Sequence, residues 1–236
     1  MALLTRSSCT GTLQGVLSAS QSPSESRQAK DALVCIVDDD ESVRRSLTRL
    51  CRSARLPVEA FSLAKDFLAK PLHHGPTCLI LDVQMPGLDG LELQQTLRDR
   101  GEQIVFLTGH GNIPMCAKAM KAGAVDFLTK PVDDEELLAA VGRGLKRSVV
   151  ERKAREEREE ALLRLKTLTR RELEVMAHVI AGLMNKQIAG ELGAAEKTIK
   201  IHRGRVMEKM GVASVAELVR KAQAAGVSPR VPEHRE

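Results

Sequence analysis

The side chains best suited to take part in a chemical reaction are three aspartates, a threonine and a lysine from separate parts of the chain. Each follows closely on a short apolar run, and they are Asp38, Asp39, Asp82, Thr108 and Lys130. Such runs are typical of buried parallel strands, whose carboxyl ends meet at one edge of a sheet. Three carboxylates at one edge repel each other unless cations are present. Lys130 supplies one positive charge, and Mg²⁺, which prefers oxygen ligands, would supply the rest.

An aspartate in such a site can act as a nucleophile toward an activated phosphoryl group, and Asp82 is the candidate. Phosphoryl transfer depends mainly on positioning and on neutralising the charge of the phosphoryl oxygens. In this interpretation Asp38 and Asp39 hold the metal, one directly and one through water. Thr108 and Lys130 would bind the phosphoryl oxygens after transfer. Taken alone, an aspartate at this position is more often a solvated or turn-capping residue than a nucleophile.

An alternation of strands and helices over residues 33–145 must position these groups. We predict strands at 33–37, 58–61, 79–81, 104–107 and 125–128. The helices between and after them are predicted at 42–52, 62–68 with Ser62 as the cap, 91–97, 113–122 and 133–145. Five strands that alternate with five helices predict a doubly wound, flavodoxin-like parallel sheet of the α/β class. Right-handed crossovers then bring the polar strand ends to one edge.

The second half of the chain has a different, all-α pattern. Residues 148–166 are charged and rich in helix formers, which favours a solvated helical linker over a coiled coil. Residues 167–226 predict four helices, and capping boxes open the first at Thr169 and the fourth at Ser214. Asn185 is the predicted cap of the second helix. A very short turn joins that helix to a basic third helix at 196–210, which indicates a helix-turn-helix domain.

The charge is distributed unevenly along the 236 residues, whose net charge is +5. Residues 31–147 contain 15 basic and 17 acidic residues, whereas residues 165–236 contain 13 basic and 8 acidic residues. An acidic module therefore precedes a basic one, which fits a regulatory domain joined to a domain that meets a polyanion. The chain has no Trp or Tyr and only four Phe, so aromatic stacking on exposed bases is not its binding mode.

The cysteines and the apolar runs bear on the cellular compartment. The five cysteines are scattered without a C-x-x-C pair, so we interpret them as reduced residues of a cytoplasmic protein and not as metal ligands or disulfides. No apolar run approaches the ~18 residues that a membrane span requires, and no membrane partner is expected. Residues 1–30 are rich in Ser and Gln and predict a disordered tail, and residues 227–236 a second tail.

The motifs of the first half together resemble the receiver domain of two-component signalling. The resemblance covers residues 33–147, with matching stretches at 37–40, 81–90, 107–111 and 127–131. It implies that a sensor histidine kinase donates a phosphoryl group to Asp82. It also implies Mg²⁺ or Mn²⁺ held by Asp39, by Asp82 and by the backbone carbonyl of Gln84. Thr108 and Phe127 occupy the positions of the family's switch residues, although Phe127 is equally compatible with a plain core residue.

The last 70 residues contain a second resemblance, to the LuxR-type DNA-binding domain. It covers residues 167–224, with matching stretches at 168–175, 182–189, 197–203 and 209–212. It implies base-facing positions for Lys200, Ile201 and Gly204. The other implied DNA contacts, mainly to phosphates, are Lys186, Lys197, Thr198 and Arg203. Ala195 stands where a Ser or Thr commonly caps the third helix, and losing that cap costs ~1 kcal/mol.

The order of the two modules resembles the FixJ/NarL class of response regulators, and most of all the FixJ type. The resemblance implies a transcription regulator, most often an activator, and not an enzyme. Phosphorylation would promote formation of a homodimer that binds double-stranded promoter DNA, with RNA polymerase as a further candidate partner.

Two alternatives keep part of this interpretation. In a metal-dependent phosphatase of the haloacid dehalogenase type, Asp38 within Asp38-x-Asp40 would be the nucleophile, and a helical cap domain would replace the helix-turn-helix. In the second alternative the fold is unchanged, but the basic domain binds an acidic protein. DNA footprinting separates that alternative from control of transcription.

Overall fold

The computed structural model of this chain describes residues 31–98, 100–109 and 111–229. The chain divides into two compact units, the first ending at Val149 and the second beginning at Val150. Of the tails predicted at 1–30 and 227–236, only residues 227–229 are among those described. Within the described part of the chain, no helix combines the length and apolar character that crossing a membrane requires.

The first unit is built on a five-stranded sheet in which all neighbouring strands are parallel. Its strands are β1 (Leu33–Val37), β2 (Val58–Phe61), β3 (Thr77–Leu81), β4 (Gln103–Thr108) and β5 (Asp126–Thr129). The order across the sheet is β2-β1-β3-β4-β5. The three central strands are buried along their whole length, because apolar side chains on both of their faces are covered. The predicted doubly wound sheet is confirmed.

Helices cover both faces of this sheet. They are α1 (Glu41–Ser53), α2 (Ala64–Ala69), α3 (Gly90–Thr96), α4 (Ile113–Lys121) and α5 (Asp134–Leu165). Successive strand residues point to opposite faces, so Leu79 and Leu81 belong to one buried cluster and Ile80 to the other. Cys51 lies in the second cluster, and burial raises the pKa of its thiol to about 11. Cys35 and Cys78 on the strands are buried free thiols as well, whereas Cys116 on α4 is partly exposed.

Two local predictions in the first unit are wrong. Ser62 does not cap α2, since the N-cap residue is Leu63 and no side chain bonds there. The helix predicted to end near residue 145 continues without interruption to Leu165. No proline interrupts it, and pairs at i,i+4 spacing, such as Arg152 with Glu156, support its exposed part.

Two contacts fix α5 against the sheet. Ser148 Oγ accepts a hydrogen bond from the backbone N–H of Thr77 at 3.1 Å. A Cβ atom at Gly144 would lie 2.7 Å from Sγ of Cys78, so only glycine allows the helix to approach β3 this closely. These contacts lie within the first unit and hold the sheet-facing part of α5.

The second unit contains four helices around one apolar core. They are α6 (Arg170–Ile180), α7 (Asn185–Leu192), α8 (Glu196–Met210) and α9 (Val215–Ala224). The core includes Val175 of α6, Ile188 of α7, Ile199 and Val206 of α8, and Leu218 of α9. The short turn between α7 and α8 passes through Gly193, whose φ of 58° lies in the left-handed region that glycine tolerates. The predicted four-helix arrangement is confirmed.

A charged pair links the start of α6 to the end of α8. Glu172 forms the predicted capping box with Thr169, and its Oε2 atom also accepts a hydrogen bond from Lys209 Nζ at 2.6 Å. Lys209 donates a further bond to the carbonyl of Thr167 at 3.1 Å. The bond from Lys209 and the backbone N–H of Thr169 lower the pKa of Glu172 to about 2. The ionised form of Glu172 is therefore strongly favoured in the folded chain.

We expect Glu172→Gln to destabilise the second unit by about 1–2 kcal/mol at neutral pH, because a charged hydrogen bond becomes a neutral one. The pKa of Glu172 is lowered on folding, so its contribution is complete above the unfolded-state value of about 4.3 and is lost as the pH falls toward 2. Amide hydrogen exchange of α6 peptides in the full chain measures the difference. Glu191→Gln, at an exposed position on α7, is the control. If the loss of stability in Glu172→Gln stayed the same size below pH 4, the stabilising role of ionised Glu172 would be contradicted.

Candidate functional site

Neighbouring strands β1 and β3 place two carboxylates side by side. Val37 and Leu81 are in register, and Asp38 and Asp82 directly follow them. The backbone N–H of Asp82 donates to the carbonyl of Val37 at 2.9 Å, which extends the pairing to the strand end. Asp38 is 2% exposed and Asp82 is 8% exposed. The structure therefore brings these two predicted site residues together in a nearly buried position.

Lys130 compensates part of the negative charge of this pair from the end of β5. Its Nζ atom lies 2.6 Å from Oδ2 of Asp38 and 3.1 Å from Oδ2 of Asp82. Its backbone N–H donates to the carbonyl of Thr108 at 2.8 Å, and the Lys130–Pro131 peptide bond is cis. Burial lowers the pKa of Lys130, but the hydrogen bonds and charges of both carboxylates outweigh it and raise that pKa above its usual value. Lys130 therefore remains charged.

The three consecutive aspartates after β1 have different roles. Burial raises the pKa of Asp38, although Lys130 and the backbone N–H of Asp40 both favour its charged form. Asp40 instead caps α1, and its Oδ1 atom accepts from the backbone N–H of Ser42 at 2.7 Å. Arg44, one turn into α1, donates to the carbonyl of Asp38 at 2.7 Å. The position of Asp38 is thus held from both sides, and sequence analysis missed the part played by Arg44.

The carboxylates fit a divalent cation. Asp38, Asp39 and Asp82 each offer an oxygen atom, and these atoms lie within 4.8 Å of one another. An all-oxygen donor set at the edge of a sheet suits a hard ion such as Mg²⁺. Gln84 lies beside this set, because its backbone N–H donates to Oδ1 of Asp82 at 3.3 Å. A metal contact from the carbonyl of Gln84 stays a prediction.

The two predicted switch residues lie on adjacent strands. Thr108 is buried at the end of β4, in register with Thr129 of β5. Phe127 is partly buried, and its ring centroid lies 5.9 Å from that of Phe106. A Cβ atom at Gly111 would lie 2.8 Å from the Phe127 ring and 3.3 Å from the Thr108 methyl group. Gly111, to which sequence analysis assigned no packing role, thus lets the segment after β4 pack on both residues.

The predicted DNA contacts occupy the surface of α7 and α8. Exposed among them are Lys186, Lys197, Thr198, Lys200, Ile201 and Gly204. Ile201, an apolar side chain that is 49% exposed, lies among these residues.

Arg203 differs from the other predicted DNA contacts. It is partly buried and donates to Oδ1 of Asn185 at 3.1 Å. Asn185 therefore ties α7 to α8 and does not cap α7, whose N-cap residue is Met184. No side chain caps α8 at Ala195, as expected from the absence of a Ser or Thr at that position.

Comparison with known proteins identifies both units. Residues 34–142 match the model of the response regulator receiver domain, and residues 166–222 match that of the bacterial regulatory proteins of the luxR family. Nodulation protein W of Bradyrhizobium diazoefficiens is 48% identical over 199 residues, which cover 84% of this chain and 88% of that protein. The transcriptional regulatory protein FixJ of Azorhizobium caulinodans is 43% identical over 200 residues, which cover 83% and 94% of the two chains.

A solved structure supports the same relationship. The low-resolution structure of the response regulator StyR is similar to this chain with a TM-score of 0.71 and 47% sequence identity. The match covers 82% of this chain and 98% of the StyR chain.

The carboxylate set predicts that Mg²⁺ stabilises the first unit by preferential binding to the folded state. We expect Asp39→Asn to weaken Mg²⁺ binding by ~10-fold or more. Thermal unfolding of the full chain at increasing Mg²⁺ concentration measures this effect. Asp40→Asn is the matched control, because Asp40 caps α1 and lies outside the set. It should lower the unfolding temperature and leave the Mg²⁺ dependence intact. Equal Mg²⁺ dependence in Asp39→Asn and wild type would exclude Asp39 as a ligand.

Proposed function

The chain belongs to the response regulators that join a receiver domain to a LuxR-type DNA-binding domain, and on that premise we propose that phosphorylation of Asp82 controls its binding to promoter DNA. The observation that carries this proposal is the Asp38–Lys130–Asp82 cluster at the carboxyl edge of the sheet. The exposed basic surface of α8 supports the DNA-binding half of the proposal.

The phosphoryl donor is a phosphohistidine of a sensor histidine kinase. A carboxylate oxygen of Asp82 forms a bond to phosphorus while the bond from phosphorus to the imidazole nitrogen breaks, and the imidazole keeps the electron pair. Lys130, already beside Asp82, binds an oxygen of the transferred group, and the Thr108 hydroxyl binds another. Asp38 and Asp39, with Asp82 and the carbonyl of Gln84, would hold Mg²⁺ or Mn²⁺. The bound ion supplies further neutralisation of phosphoryl charge.

The phosphoryl group acts as a ligand that shifts a conformational equilibrium. Movement of Thr108 toward the phosphoryl group frees space beside Phe127, which packs against the same segment through Gly111. The altered surface favours a homodimer, whose two copies of α8 read two half-sites of duplex DNA. Lys200, Ile201 and Gly204 face the bases, and Lys186, Lys197, Thr198 and Arg203 contact phosphates. The protein then acts on transcription in the cytoplasm, with RNA polymerase as its further partner.

The alternative phosphatase hypothesis has no support. Both family matches are to regulators, and the second unit is a four-helix LuxR-type domain instead of a cap domain. We therefore infer a regulator that is phosphorylated and has no substrate of its own to turn over.

Intact mass after treatment with a small phosphodonor and Mg²⁺ tests the phosphorylation site. We expect the wild type to gain one phosphoryl group and to shift toward a dimer in light scattering, because the acyl phosphate forms on Asp82. Asp82→Asn should show neither change. Asp89→Asn, a carboxylate that caps α3, is the matched control and should be phosphorylated like the wild type. A gain of mass that survives Asp82→Asn would move the nucleophile elsewhere.

Gly204 tests the DNA-facing surface. An added Cβ at this position meets no atom within 4 Å, so the folded chain tolerates a larger residue there. We expect Gly204→Leu to raise helix stability by up to ~1 kcal/mol and to weaken DNA binding by ~10-fold or more, because the side chain keeps α8 from the base edges. Gel retardation with phosphorylated full-length protein measures the affinity.

Gly142 on α5 provides the control for this substitution. An added Cβ there also meets no atom within 4 Å, so Gly142→Leu should change helix stability similarly and leave DNA affinity unchanged. Equal DNA affinity for Gly204→Leu and the wild type would remove Gly204 from the DNA interface.

A further inference from the structure

Charged side chains from two other helices cover the C-terminal end of α8. The last carbonyl groups of a helix have no partner within the helix. Here Arg164 Nη1 of α5 donates to the carbonyl of Lys209 at 3.4 Å, and Lys221 Nζ of α9 donates to the carbonyl of Met210 at 3.1 Å. Both cations also suit the negative end of the helix dipole. The end of α8 is thus held from two sides.

One carboxylate organises both cations. Oε1 of Glu160 lies 2.8 Å from Arg164 Nε and 3.2 Å from Lys221 Nζ. The hydrogen bonds from Arg164 and then from Lys221 lower the pKa of Glu160. Glu160, Arg164 and Lys221 therefore form one connected group, which we name the α8 cap cluster.

Close packing accompanies the cap cluster. Gly211, just after α8, has a φ of 62°, and a Cβ atom there would lie 2.3 Å from Arg164 Nη1 and 2.8 Å from its Cζ. Glycine tolerates this left-handed conformation and leaves room for the guanidinium of Arg164. On the same turn of α5, Ala161 is fully buried and Leu165 packs against the core of the second unit. The last turn of α5 is therefore built into the DNA-binding fold.

We propose that the cap cluster is a positioning element that fixes α8 for sequence-specific DNA recognition. The proposal rests on the proposed DNA-binding function. The cap cluster holds the C-terminal end of α8, whereas Ala195 leaves its N-terminal end without a side-chain cap. The base-facing residues Lys200 and Ile201 lie in the first half of this helix, so the cap cluster sets how they are presented. Hydrogen bonds to base edges are sensitive to such placement, whereas phosphate attraction is not.

The change in DNA affinity caused by Glu160→Gln distinguishes two roles of Glu160, because a positioning role and a purely electrostatic role predict changes of different sign. Removing a negative charge from a DNA-binding domain should leave phosphate attraction unchanged or strengthen it. If Glu160 positions α8, however, affinity for a specific site should fall by about 5–10-fold, within the range of a single lost base contact. The specific probe is a duplex enriched from a random pool by phosphorylated full-length wild type, and the second probe is the same duplex with its sequence scrambled. Affinity for the scrambled duplex should not fall.

Glu156→Gln is the matched control. Glu156 lies on the same helix and pairs with Arg152 at i,i+4 spacing, as Glu160 does with Arg164. The change in charge is identical, but the Arg152–Glu156 pair makes no contact with α8 among those found in the described residues. We expect wild-type affinity for both duplexes. Amide hydrogen exchange should quicken in the last turn of α8 for Glu160→Gln only.

The outcomes separate this inference from the function on which it rests. If the wild type enriches no sequence and binds both duplexes equally, the proposed function fails. If the wild type discriminates and Glu160→Gln discriminates equally well, the positioning role is wrong and DNA binding stands. A parallel loss of affinity for both duplexes also overturns the inference, because it indicates a smaller folded fraction. Glu160→Asp, which keeps the charge and shortens the side chain, should reproduce the selective loss if Glu160→Gln folds poorly.

Discussion

The ammonium group of Lys130, held between two nearly buried carboxylates, is the interaction on which the first unit depends. Asp38 and Asp82 come from adjacent strands, and two carboxylates this close destabilise the fold unless a cation accompanies them. Lys130 reaches them from β5, and its own backbone bonds to Thr108 at the end of β4. One ionic cluster therefore links the ends of four strands. The same residues are those that phosphoryl transfer requires, so stability and chemistry share one site.

In the second unit the charged groups that stabilise the fold lie at the ends of helices. Glu172 caps the start of α6 and pairs with Lys209, while Glu160 gathers Arg164 and Lys221 against the end of α8. Each carboxylate joins elements that lie far apart in sequence. Glu172 accepts a bond from the backbone N–H of Thr169, and the two cations beside Glu160 donate to carbonyls that α8 leaves without partners. This unit has no Trp, Tyr or Phe, so its small aliphatic core is supplemented by charged links between helix ends.

Elements with strong local patterns could be predicted from the sequence with little error. The apolar strands, the capping box at Thr169 and the bounds of α8 depend on neighbouring residues, and the structure agrees with them. Predictions were less successful where a side chain bonds to a residue that is distant in sequence instead of to its local backbone. Asn185 was a reasonable helix cap from its type, yet its amide oxygen accepts a bond from Arg203, which lies 18 residues away.

The sequence by itself determined the fold class, the family and the set of polar residues at the sheet edge, because these follow from periodicity, turn chemistry and ordered motifs. Only the tertiary structure decided how equivalent residues divide their roles. Asp38 faces Lys130 while Asp40 caps α1, although both belong to one run of aspartates. Glu160 organises the end of α8, whereas Glu156 pairs with Arg152 along its own helix. Long-range contacts assign these roles, and one-dimensional spacing carries no information about which partner a side chain meets.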